Sequence, residues 1–436
     1  MIYYFLLLFF IFDYVRPGTF LPGLDVLRLN SFIPIAVILG TLFGKHPVSN
    51  REFTAETNTK LLGGLIVLLA VSSVFAAVTM TAFTVTKNVF MYILIYWSLV
   101  RQVGDVRRVK GVFMTIVLIH ISLCAMSPEM FTNGDGRTGL NAGGFLGDGN
   151  DFSLSVSVAL SLCLFLLLES RKVLAKVFWV LVMLVLVLAI VATKSRGGTL
   201  AIASVGLYFW IRSERKVLTA SLTMLAVVIV LAFAPSAWFE RMGTMTDTEE
   251  GSAQGRILAW KQSVVMAVHS PLIGVGPGHF PMANGNAQLA RWTTAHSIYF
   301  LVLGELGFPG LGILLGLIIS NLAANHRLLN EVRRLPRDQI ETATNLLTCT
   351  SGALVAFAVG GAFLSAAYYP HLYVISGLMV AGRRIVRLQL EARERVGQDQ
   401  QVPGTQLARL PIRPDAISPE WQPRPALTGI RRARTS

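Results

Sequence analysis

The residues best suited to chemistry are one histidine and the arginines that precede it. His296 heads an apolar run, and Arg196, Arg256 and Arg291 lie upstream of it. An unperturbed imidazole titrates at about 6.5, which makes it a natural general base at neutral pH. A guanidinium stays charged and grips phosphate through two parallel hydrogen bonds. Together these groups suit displacement of a phosphate leaving group: arginines hold and neutralise a departing diphosphate while a histidine deprotonates the attacking hydroxyl. Arginine supplies the positive charge a metal would otherwise bring, so neither metal nor cofactor is expected. His269, His279 and His296 show no ligand spacing, and no cysteine joins them, which argues against zinc. The chain has no G-x-S-x-G elbow, P-loop or dinucleotide fingerprint.

The elements that must position these residues are membrane helices. The 436 residues are 53% hydrophobic and 14% charged, against about 25% charged in soluble domains. Apolar runs recur at lengths near the ~20 residues that cross a hydrocarbon core. The fold class expected is all-α, a polytopic membrane protein of about twelve transmembrane helices with one large periplasmic loop containing short helices. The spans fall near 1–15, 30–44, 61–80, 84–100, 109–127, 151–168, 173–193, 198–211, 215–234, 296–322, 345–367 and 369–386. The N-terminus, MIYYFLLLFFIFDY, lacks a basic n-region and a cleavage site and reads as a retained helix. Cys124, Cys163 and Cys349 all lie inside apolar runs, with no disulfide framework.

With both termini in the cytoplasm, well over half of the 38 Lys and Arg fall on the cytoplasmic side, and the same side keeps the majority of those outside the C-terminal tail. The net charge of +14 follows from this bias and the tail. Arg383, Arg384 and Arg387 are placed to meet anionic headgroups. Residues 387–436 read as a cytoplasmic tail, disordered where Pro, Gln and Arg prevail; this topology favours a solvated or lipid-facing tail over nucleic-acid binding. The transmembrane domain is 1–386, with the periplasmic loop at 235–295.

Three segments on the external side stand out. Residues 128–150 carry glycine-rich runs that lead to Asn150 and Asp151, which either cap the sixth span or hydrogen-bond a sugar. The turn Thr193-Lys194-Ser195-Arg196-Gly197-Gly198 puts two cations on the side that otherwise lacks them; an interfacial arginine that snorkels to headgroups is the plainer reading of Arg196. In the long loop, Ile257, Leu258, Val264, Val265 and Val268 suggest an amphipathic helix over 254–269 lying at the interface, with Arg256 at its start. An anion there would gain both the guanidinium and the first-turn amides. His296 either serves as base or belongs to the cap of the tenth span, and Glu305 is an ionisable group inside that span.

These motifs, in this order, resemble the O-antigen ligase and O-antigen polymerase family. The resemblance rests on TKSRGG at 193–198, on Gly255-Arg256 with Trp260, and on PLIGVGPG at 271–278 with Phe280. It rests also on Ala295-His296-Ser297-Ile298-Tyr299, followed by Gly304-Glu305-Leu306-Gly307. It is best over about 150–322. It implies a multispan inner-membrane glycosyltransferase that moves a glycan from an undecaprenyl-diphosphate carrier to an acceptor hydroxyl without a metal. By motif position Arg196 and Arg256 would contact the donor diphosphate and His296 would be the base. Arg291 would add positive field without a matched role. The family often has Asn after the histidine, where this chain has Ser297. Three functions compete: a ligase acting on a lipid or protein hydroxyl, a polymerase joining lipid-linked repeat units, and a polysaccharide transporter or flippase with no chemistry. A transporter usually shows internal repetition and broken helices, whereas the unusual residues here concentrate in one loop and its flanking turns.

Overall fold

The structure is a computed structural model. It describes residues 1–436 except 22, 25–26, 45–47, 133–139, 141–143, 244–250, 284–293, 337–339 and 401–436. Among the described residues every regular element is helical. The long helices are α1 (Ile2–Tyr14), α2 (Leu29–Phe43), α3 (Thr57–Val74), α4 (Thr79–Gln102), α5 (Val106–Met126), α6 (Gly149–Leu168) and α7 (Val173–Ala192). They continue as α8 (Arg196–Arg212), α9 (Lys216–Phe233), α10 (Gly251–His269), α11 (Ile298–Val332), α12 (Glu341–Gly361) and α13 (His371–Gln400). Each stretch expected as a span falls on one of them. Seven, α3 to α7 with α11 and α12, are long and apolar enough to cross a membrane; α1, α2 and part of α9 are shorter apolar helices. The protein is an all-α, multi-pass membrane protein.

Its centre is α6. The best apolar window of α6 is 78% buried, against 28% for α7, which is the more apolar of the two. In lipid, hydrophobicity alone does not draw helices together; small residues that let backbones approach do. Accordingly α6 carries Ser153, Ser155, Ser157 and Ser161, all buried, and packs on α5, α7, α8 and α12. The Ser153 and Ser157 hydroxyls donate back to carbonyls one turn earlier, Asn150 O and Ser153 O, at 2.7 and 2.8 Å. Gly360 of α12 faces Leu154 of α6 and Ala201 of α8, and a Cβ there would lie 2.6 and 3.0 Å from their side-chain carbons.

α10 contains the loop helix expected over 254–269. It begins at Gly251 and packs on the first half of α11 through Ala259, Ser263, Met266 and Ala267. Of the apolar residues that periodicity singled out, Ile257, Val264, Val265 and Val268 face outward. The small residues mark the packed face, for the reason that applies to α6.

α11 is interrupted at Gly307 (φ 68°, ψ −166°), two residues before Pro309. At the other end of α11, Arg383 is buried and does not meet headgroups: it donates to Asn321 Oδ1 and Asn325 Oδ1 at 3.2 and 3.0 Å, with Glu56 at 3.9 Å. Contacts divide the chain into a compact unit, Met1–Arg387, and a second, Leu388–Ser436. The expected tail thus starts as helix through Gln400, and 401–436 lies outside the described residues.

Candidate functional site

The Gly274–Phe280 turn fits into the break of α11. Breaking a helix frees backbone groups that must be satisfied elsewhere in a membrane. Here the turn satisfies them: Val275 N–H donates to Gly304 O at 3.1 Å and Gly276 N–H to Glu305 O at 3.0 Å. Phe308 N–H donates to Pro271 O at 2.9 Å. Glycines at 274, 276, 278 and 307 all hold positive φ, which side chains resist. A Cβ on Gly274 would overlap the Glu305 carbonyl. Glu305, expected as a possible substrate contact, is buried and turned to this loop. Its two carboxylate oxygens accept from the Gly278 and Phe280 N–H groups at 2.8 and 2.9 Å. His279 ties the same turn to the N-cap of α4: Nδ1 lies 3.0 Å from Pro277 O and Nε2 accepts from Val78 N–H at 2.9 Å.

His296 is held from two sides. The indole Nε1–H of Trp260, from α10, donates to Ala295 O at 3.0 Å, and the indole stacks on Phe300 with centroids 5.0 Å apart. The His296 backbone N–H donates to Ser365 Oγ at 2.8 Å, and Thr294 Oγ1 donates to the same oxygen at 2.7 Å. His296 has a left-handed backbone, φ 49°, uncommon for a residue with a side chain and found where surroundings impose it. It is not the cap of α11: Ser297 holds that position, and its buried side chain caps no amide. The imidazole is half-buried.

Arg196 is the first residue of α8, with Ser195 as N-cap accepting from Gly198 N–H at 3.1 Å. Gly197 and Gly198 bring this helix start against its neighbours: a Cβ on Gly197 would stand 3.3 Å from Phe363 Cβ, and one on Gly198 would overlap Ser153. Lys194, just before, is buried and also left-handed, φ 53°. Arg256 lies in the second turn of α10 because the helix begins at Gly251; the first-turn amides are a turn away from it. It precedes Trp260 by four residues and so shares its face.

Neither Asn150 nor Asp151 caps α6. Asp148 does, accepting from Asn150 N–H at 2.7 Å. Asp151 Oδ2 instead accepts from Tyr369 Oη at 3.0 Å. Burial, and then the Asp151 carboxylate, hold the Tyr369 phenol above its ordinary pKa, so it remains the donor. Arg291 lies outside the described residues.

The element that joins these pieces is the turn between α12 and α13, Phe363–Tyr369. It touches Gly197 beside Arg196, receives the His296 N–H, and reaches Asp151. Reading the sequence missed it because the two spans were drawn as 345–367 and 369–386, which leaves no room for a turn. The signal available was GAFLSAAYYP at 361–370, a run of small residues closed by Tyr-Tyr-Pro, where a helix ends. Among the described residues no cluster of three or more His, Cys, Asp or Glu could hold a metal ion.

A broken helix filled by a glycine turn thus lies near a backbone-locked histidine and an arginine at a helix start. Residues 181–315 match a family described as O-antigen ligase, so over that stretch the chain is similar to it. The match takes in Arg196, Arg256, Arg291, His296 and Glu305, and leaves out Asn150, Asp151, Ser365 and Tyr369. No curated protein matches the chain. The match supports a function of the O-antigen ligase or polymerase type, in the processing of lipid-linked glycans.

Proposed function

We propose that the protein is a glycosyltransferase that moves a glycan from an undecaprenyl-diphosphate carrier to an acceptor hydroxyl. In this reading His296 takes the proton from the acceptor O–H as the oxygen bonds to the anomeric carbon of the donor sugar. The bond from that carbon to the diphosphate breaks, and its electron pair leaves with the diphosphate, which Arg196 and Arg256 hold. Charge develops on the leaving group, where preorganised guanidinium groups stabilise it most. No metal is needed for this step. The site faces the periplasm of an inner membrane, with both termini cytoplasmic, as the distribution of basic residues favours.

The observation that carries the reading is the left-handed His296, fixed through Ser365 to the turn that also packs beside Arg196. A transport role has less support. α11 is broken, as transporter helices often are, but the protein's own turn fills the break. The cavity beside it, lined by Val302, Leu306, Leu314, Tyr368 and Tyr373, has a volume of about 20 Å³. That is room for roughly one water and for no sugar.

The test uses purified protein in detergent with a lipid-diphosphate-linked oligosaccharide, with and without EDTA, and candidate acceptors. Wild type should transfer glycan in EDTA. His296→Ala should lose about 10²- to 10⁴-fold, the range for a general base, and Arg196→Ala and Arg256→Ala should also fall. The acceptor used, a lipid-linked repeat unit or another hydroxyl, separates polymerase from ligase. A His296→Ala protein as active as wild type would remove the catalytic reading.

A further inference from the structure

We infer that Ser365 is a positioning residue for the reaction, acting through the backbone of His296. The inference rests on His296 being the base, as proposed above. It adds a residue that lies fifty positions beyond the family match, which ends at 315.

The argument starts from strain. A left-handed backbone is strained for a residue with a Cβ and persists only where its surroundings hold it. At His296 two restraints on the backbone are visible, and each is a single hydrogen bond. Trp260 holds the carbonyl before it, Ala295 O, and Ser365 holds its N–H. The Ser365 oxygen is itself oriented. It accepts from Thr294 Oγ1 as well, so both of its lone pairs are engaged by residues 294 and 296. A serine that grips both sides of residue 295 fixes the path of the chain into α11 and, with it, the direction in which the imidazole leaves the backbone.

Ser365 is in turn anchored by the packing around its turn. Phe363, two residues before it, closes on Gly197, and Tyr369, four residues after it, donates to Asp151 of α6. The serine therefore relates His296 to the same part of the bundle that carries Arg196. A base must sit within hydrogen-bond reach of the proton it removes, and a misplacement of about 1 Å costs on the order of 100-fold in rate. Loss of Ser365 should show in turnover and not in donor binding, because the serine does not hold the diphosphate.

The experiment compares Ser365→Ala, Ser365→Thr, Thr294→Val and the Ser365→Ala/Thr294→Val double variant by steady-state transfer. His296→Ala is the reference, and donor binding is measured separately. Ser365→Ala should lower kcat by about 10- to 100-fold with donor affinity within about twofold of wild type. Ser365→Thr keeps the oxygen and should recover most of that loss. Thr294 acts through the serine, so the double variant should be no worse than Ser365→Ala alone. Ser365→Ala with wild-type kcat while His296→Ala is dead would overturn this inference and leave the proposed function standing. A Ser365→Ala protein that loses donor binding in step with turnover, with no recovery in Ser365→Thr, would mark a structural serine and overturn it equally. Wild-type activity in His296→Ala would instead remove the reading on which both rest.

Discussion

The turn in the break of α11 and the mouth of the same helix both hold left-handed backbone, and they do it differently. In the turn that fills the break of α11, every such position is a glycine: 274, 276, 278 and 307. At the mouth of the same helix the position is His296. The turn is secured many times over. Backbone bonds reach Gly304, Glu305 and Pro271, and both Glu305 oxygens are occupied by turn amides. The histidine has one bond to its own N–H and one to the carbonyl before it. Where only geometry is required, the chain uses the residue that adopts it without strain. Where an imidazole is required, it accepts strain and supplies supports. The turn is thus scaffold, and the histidine is the part maintained at a cost.

This contrast can be broken at the turn or sharpened at the histidine. The largest effect is expected from Gly274→Ala. Its Cβ would combine left-handed strain with overlap onto the Glu305 carbonyl, and stability should fall by about 3 kcal/mol. Loss of monodisperse protein on heating in detergent, well below the wild-type midpoint, would report it; an unchanged midpoint would mean the turn does not seat in the break. Glu305→Gln should cost less, about 1–3 kcal/mol, since one amide of the turn would meet an NH₂ group and remain unpaired. If thermal unfolding of that variant matched wild type while transfer were lost, Glu305 would belong to the substrate and not to the scaffold. The smallest change has the opposite sign. His296→Gly should abolish transfer yet unfold at or slightly above the wild-type temperature, because relief of about 1–2 kcal/mol of strain outweighs the added chain entropy of about 0.5–1 kcal/mol. A clear drop in its midpoint would show that His296 is not strained in place.

The sequence carried the helices well. Spacing of charge between apolar runs located the stretches that became the long apolar helices, since a hydrocarbon core sets helix length directly. It also brought forward Arg196, Arg256 and His296 as one-sided cations and a base. It did not reveal contacts that depend on small residues. The packed face of α10 is Ala259, Ser263, Met266 and Ala267, and a hydrophobic pattern points to its other side. Glu305 read as an intramembrane carboxylate, and only the folded turn shows that backbone amides occupy it. Ser365 and Tyr369 escaped notice because their roles come from sequence separations of 69 and 218 residues. No local pattern encodes partners so distant.

The reach of the Phe363–Tyr369 turn also sets an order of events during synthesis. Arginine, turn glycines and histidine are all made before residue 322, but the serine that fixes the histidine and the tyrosine that meets Asp151 come forty or more residues later. A chain emerges and folds from its N-terminal side first. The nascent protein therefore holds every group of the proposed chemistry while its base is still unfastened, and the site becomes competent only when the last pair of helices arrives.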